Sequence, residues 1–322
     1  MNTFPIQIRR EFWEHRSLWI APLVWVAVIT LLFTYTVVAV IPDRAGHTMT
    51  MQLGSQADLS QLSAEDRQKV EEAMKVPDER KQTFYAISYL AITGLIFFFV
   101  CIVVFFYLLD CLFAERRDRS ILFWKSLPIS DTQVVLSKLA VALVVVPLGT
   151  IALAAATQLV MFVVVWLKFH GTMVDAVMPD WSLLAWLRSL GLALSITLGA
   201  VLWYVPITGY LLLMSSWARR NVFLWAVLPP ISLAVLEGFF LHSKNVLDFL
   251  GWRFVGHIHL MRVDQSAFQT GVTDHELPRL DQIMNAFDMT RLFASPGLWL
   301  GLVAGAAMVY AAIRLRRYRD DS

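Results

Sequence analysis

The sequence predicts an all-α membrane protein. Six transmembrane helices form one domain over residues 1–322, with both chain ends in the cytosol. An N-terminal interfacial helix, a short cytosolic helix after the second span and a re-entrant or surface helix between spans five and six complete the plan. Three observations carry this. Hydrophobic residues make up 57% of the chain and mean hydropathy is +0.60, above the usual soluble range. The apolar residues come in blocks, and a helix needs about 20 of them to cross the hydrocarbon core. Basic residues are distributed unequally between the connecting segments.

Residues 1–18 mix Ile6, Ile8, Phe12 and Trp13 with Arg9, Arg10, Glu11, Glu14 and Arg16, the pattern of an amphipathic helix lying in a membrane interface. A cleaved leader is not expected: the stretch carries two glutamates, and the apolar run after it is long and lacks an Ala-x-Ala site. The spans are read as 19–41, 84–114, 139–167, 190–217, 222–241 and 296–313. Pro147 and Pro206 are expected to kink the third and fourth, while Ser295-Pro296 reads as a cap and first-turn proline that start the sixth. With the N-terminus inside, the inner segments hold 14 of the 27 Lys and Arg in 55 residues, against 13 in 118 outer residues. That density places both termini in the cytosol. Trp19, Trp166, Trp217, Trp225 and Trp299 stand near span ends, as an aromatic belt does.

Residues 42–83 form a polar outer loop in which 64–75 reads as a solvated helix capped by Ser63. The second long outer loop, 242–295, begins with an apolar stretch, 245–260, too short and too charged to span. His257 and His259 lie within it, near His242, Asp264, His275 and Glu276. Residues two apart diverge on a helix, so these read as loop residues and no metal site is expected. Cys101 and Cys111, ten residues apart on one span, lie about 15 Å from each other along the axis and cannot pair.

The segment 115–138 carries the most information. Glu115, Arg116, Arg117, Asp118 and Arg119 are all ionisable, so the chain leaves hydrocarbon there. Ile121 to Trp124 and Leu127 give a short apolar face, Pro128 ends it, and Ser130-Asp-Thr-Gln133 is a capping box that starts the next helix. The stretch from Glu115 to Ser126-Leu127-Pro128-Ile129-Ser130 resembles the cytosolic coupling segment of ABC type-2 permeases. That segment opens on a Glu-rich charged start and closes on Ser-Leu-Pro-[Val/Ile]-Ser. Where the family has Gly-Thr this chain has Arg119-Ser120, and the family's Glu in the next turn is Leu122 here.

The resemblance implies the membrane subunit of an ABC exporter in a bacterial inner membrane. Two copies of a separate ATPase would dock on Glu115, Arg116, Arg117, Asp118, Arg119, Phe123, Trp124, Lys125, Leu127 and Pro128, with the N-terminal helix beside them. A second permease protomer, identical or related, would complete the pathway. ATP and Mg would be held by the partner, since Gly-Lys occurs nowhere in this chain and no phosphate loop can form. No cofactor and no catalytic residue are expected in the chain itself. A net charge of +2 does not suggest a nucleic-acid partner; the Arg clusters suit anionic lipid.

Two charged groups inside spans, Asp110 and Glu237, are the candidates for the pathway or its gate. Two other classes fit less well. An ion- or proton-coupled secondary transporter places polar groups at the midplane, where this chain has almost none. An intramembrane enzyme needs facing catalytic pairs, yet no span contains a His, and Glu71-Glu72 lies in a polar loop.

Overall fold

The structure is a computed structural model that describes residues 4–40, 68, 78–121, 129–170, 181–261 and 287–318. Among them it is helical, with six helices long and apolar enough to cross a membrane: Ser17–Ala39, Tyr85–Arg117, Asp131–Phe169, Leu183–Trp217, Val222–Phe240 and Pro296–Tyr318. These six helices contain most of each of the six stretches expected to span, and the third begins at Asp131, directly after the Ser130 cap that the sequence predicts. The expected helices at 64–75 (Gln68 apart) and 122–128 lie outside the described residues, as do Phe123, Trp124, Lys125, Leu127 and Pro128.

Local sequence explains most of the boundaries. Helix α1 (Phe4–Glu14) is followed after two residues by α2 (Ser17–Tyr35), which ends in a π-helical turn, Thr36–Val40. The second span is α3 (Asp78–Asp110) continued by α4 (Phe113–Arg117). Ser215 bridges the break between them: its hydroxyl donates to Leu109 O and accepts from the N–H groups of Leu112 and Phe113. The third span opens on the expected capping box, Ser130 accepting from Gln133 N while Gln133 accepts from Ser130 N. It runs as α5 (Asp131–Ala140), a π-helical stretch Val141–Val145 and α6 (Val146–Phe169). The wider π turn lies just before Pro147, where it absorbs the missing donor and the bulk of the ring. The fourth span, α7 (Leu183–Trp217), stays helical through Pro206. Then come α8 (Val222–Phe240), α9 (Asn245–Met261), the short α10 (Thr290–Ala294) and α11 (Pro296–Tyr318).

The central element is α7, packed along α11 and against α3. Glycines permit the closest approach: a Cβ on Gly209 would stand 2.7 Å from Gly305 O, and one on Gly305 would stand 2.7 Å from Val205 Cγ1. Small residues at a crossing let membrane helices touch backbone to backbone. Two apolar cores result. The larger, around Ile96, Leu108, Val135, Leu212 and Ala312, joins α3, α5, α7 and α11; the smaller gathers Trp203, Met261, Leu292 and Leu298 under α9. The outer surface is apolar, with Leu31, Phe98, Val235 and Leu300 all more than 60% exposed. Such a surface suits lipid rather than water. The five tryptophans expected at span ends are all exposed.

Candidate functional site

Helix α1 docks with Ile8 and Phe12 against the core and buries two polar residues beside them. Gln7 and Glu11 are 3% and 1% exposed, whereas Ile6 and Trp13 of the same helix are 62% exposed. Glu11 points into the bundle because a cation waits there. Lys138, eight residues into α5 and fully buried, donates from Nζ to Glu11 Oε1 at 2.8 Å and Oε2 at 3.0 Å. The same ammonium pairs with Glu115 Oε1 at 3.0 Å. Glu115, in α4, also takes Arg10 Nη2 at 3.0 Å and Arg316 Nη1 of α11. Arg316 Nε reaches Asp131 Oδ1 at 3.1 Å, and Tyr107 donates its hydroxyl to Glu11 Oε2 at 3.0 Å.

Three cations (Arg10, Lys138, Arg316) thus balance three carboxylates (Glu11, Glu115, Asp131) in a largely buried node. Ion pairs taken out of water are strong only when geometry is good and the remaining hydrogen bonds are satisfied. Here both oxygens of Glu11 and both of Glu115 are engaged. The node joins α1, α3, α4, α5 and α11 at the end of the bundle where α11 finishes. Its chemistry suits holding these helices in register.

The edge of the node is softer. His15 stands 3.8 Å from Glu11 and edge-on to Tyr107. Burial lowers its pKa, and Lys138 pushes the same way. Burial raises the pKa of Glu14, partly opposed by Arg10 at 2.9 Å. Glu11, Glu14 and His15 form a cluster of metal-ligand type, but Lys138 and Tyr107 already occupy both Glu11 oxygens.

Of the residues singled out by sequence, Glu115 is the centre of this node, 5% exposed. Arg116 turns inward and donates to Ser215 O and Ala218 O, closing the end of α7. Arg117, Asp118 and Arg119 are exposed, and Arg119 has a φ of 57°, a left-handed turn where the chain leaves α4. Asp110 lies on the wall of a cavity of about 680 Å³ beside the node, with Arg117 3.9 Å away. Phe106, Tyr107, Phe113, Asn221 and Phe223 complete much of that wall. Glu237 lies at the other end of the chain's fifth long helix, at the start of α9. It accepts from Ser243 Oγ at 2.6 Å, Asn245 N at 2.9 Å and Val246 N at 2.6 Å, so it caps the first turn of α9.

His257 and His259 part company, as expected for positions two apart: His257 is buried against Tyr204 and His259 stacks on Trp252. Sequence reading missed Glu11, Lys138 and Arg316 as a group. The signal for Lys138 was present, a lone cation in the apolar run from Val134 to Ala140. Arg316 was hidden among four arginines that serve equally well as topology signals. Comparison of the chain with protein-family models, with curated proteins and with solved structures finds no match.

Proposed function

We propose that this chain is the membrane-spanning permease subunit of an ABC transporter, an exporter, driven by a separate ATPase that docks on the 115–130 segment beside α1. The observation that carries this reading is the position of Glu115. It opens the segment that resembles the coupling segment of ABC type-2 permeases, and it is the residue through which α1, α4, α5 and α11 are tied. A force applied to residues 116–130 would therefore reach two spans and the N-terminal helix through ion pairs rather than through a slack loop. Charged residues exposed after Glu115 offer a wet surface for a soluble partner. Both chain ends are then cytosolic, and α9 lies toward the outer face.

The test is co-expression with an ABC ATPase subunit from the same source, followed by detergent purification and an ATPase assay. A stable complex is expected, with assembly or ATP hydrolysis lost when Trp124 and Leu127 are both changed to Asp. If no ATPase co-purifies and the chain alone moves solute down a pH gradient, the permease reading is wrong and ion-coupled transport takes its place.

A further inference from the structure

Arg253 of α9 is a buried cation with an unusual setting. It is 8% exposed. Its guanidinium lies over the Trp203 ring, 4.3 Å from the centroid, and Nη1 donates to Gly297 O at 3.1 Å. Gly301 makes room for it, since a Cβ there would overlap Nη2. No carboxylate among the described residues pairs with it, and both Nε and Nη2 are buried without a hydrogen-bond partner. One turn further along the same helix, His257 is 5% exposed and its Nδ1 also lacks a partner.

Nε and Nη2 are the two donors on one edge of the guanidinium fork, the edge that takes an oxyanion through two parallel bonds. Leaving such donors buried and unmet costs free energy that a bound anion would return. His257, one turn on and on the same side of α9, adds a third unpartnered polar atom, which favours phosphate over a two-oxygen carboxylate. Depth narrows the source. Gly301 lies fifteen residues before Arg316 on α11, or about 22 Å along the axis from the ionic node. A hydrocarbon core is about 30 Å thick, so with the node at the near boundary Arg253 sits about 8 Å inside the far one, in the apolar layer that only the headgroup of an inserted amphiphile reaches. The opposite side of α9 exposes Leu247, Val255 and Ile258, a face suited to acyl chains.

We propose that Arg253, assisted by His257, receives one phosphate-type oxyanion, carried by an amphiphile that approaches along α9. Gly301 closes the guanidinium edge in this structure, so the anion enters only as that contact opens. This does not depend on the permease reading.

The experiment is thermal unfolding of the purified full chain in uncharged detergent at constant ionic strength. Three probes are compared: dioctanoyl phosphatidic acid, dioctanoylglycerol and inorganic phosphate. The expected result is a saturable rise in melting temperature with phosphatidic acid and none with dioctanoylglycerol. Its apparent Kd should weaken about tenfold in Arg253→Gln and by a smaller factor in Arg253→Lys, which keeps the charge and loses the fork. An equal response to inorganic phosphate, equally lost in Arg253→Gln, keeps the oxyanion site and assigns its source to the aqueous phase. No shift with either anion overturns the proposal, and this wild-type comparison stands whether or not the variants fold. A shift that survives intact in Arg253→Gln overturns it as well.

Discussion

Lys138 and Arg253 are both buried cations, one near each end of the bundle, and their surroundings are opposites. Lys138 is fully buried between the carboxylates of Glu11 and Glu115. Arg253 has an indole face, one backbone carbonyl and no carboxylate among the described residues. A balanced pair leaves every hydrogen bond made, so its function is to hold. An unbalanced cation keeps bonding capacity in reserve, so its function is to receive. The same residue class thus serves cohesion at one end and recognition at the other, and only its partners distinguish the two.

The sharpest way to break this comparison is Lys138→Met. It leaves two buried carboxylates facing each other, and removing one partner of a buried pair costs about 3–5 kcal/mol. Chemical or thermal unfolding in detergent should show it as the largest single loss, with α1 released to proteolysis; a change under about 1 kcal/mol would mean the node is hydrated and slack. Ser215→Ala comes next. It strands the N–H groups of Leu112 and Phe113 where α3 breaks into α4, for about 1–3 kcal/mol by the same assay.

Arg253→Met should be the contrast. It removes a ring contact of about 0.5–2 kcal/mol together with an uncompensated charge, and the two offset. A net change within about 1 kcal/mol of either sign is expected in the absence of anion. A loss as large as that of Lys138→Met would show that Arg253 has a hidden counter-charge.

The smallest effect is a slope against pH. Burial pushes the His257 imidazole down to about 4 from 6.5. The unfolded chain therefore takes up this proton first as pH falls. Stability from a neutral His257 is complete above pH 6.5 and is lost as pH drops toward about 4. Unfolding measured across that window should be less pH-sensitive in His257→Phe than in the unsubstituted chain. An unchanged slope would place His257 in water. His15, lowered in the same direction, adds a slope of the same sign at the other end of the bundle.

Much of the architecture was legible because hydrocarbon is a simple solvent. Every backbone group must bond within its own helix, so length and apolarity alone mark the spans. The capping box at Ser130 and the proline start at Pro296 were equally local, and both helices begin there. The third long helix begins at the Ser130 capping box, as the sequence predicts, but the charge of Lys138 is admitted into it only because Glu11 and Glu115 come from elsewhere to meet it. The amphipathic pattern of α1 does not show which residues dock: Ile8 and Phe12 pack on the core beside buried Gln7 and Glu11, while Ile6 and Trp13 stay exposed. The capping of α9 by Glu237 was not legible, because its partners Ser243, Asn245 and Val246 meet it only where the chain turns back after α8.

By itself, the sequence determined that this is a six-span helical membrane protein and where most of its helices start and stop. Those features depend on the transfer of side chains to lipid and on hydrogen bonds between residues a few positions apart. Tertiary structure alone decided which charges are neutralised. Glu115 stands 105 residues from Arg10 and 201 from Arg316, and Arg253 stands 50 from the Trp203 ring that carries it. Electrostatic partners act across a few ångströms of space, and no periodicity along the chain encodes distances of that kind.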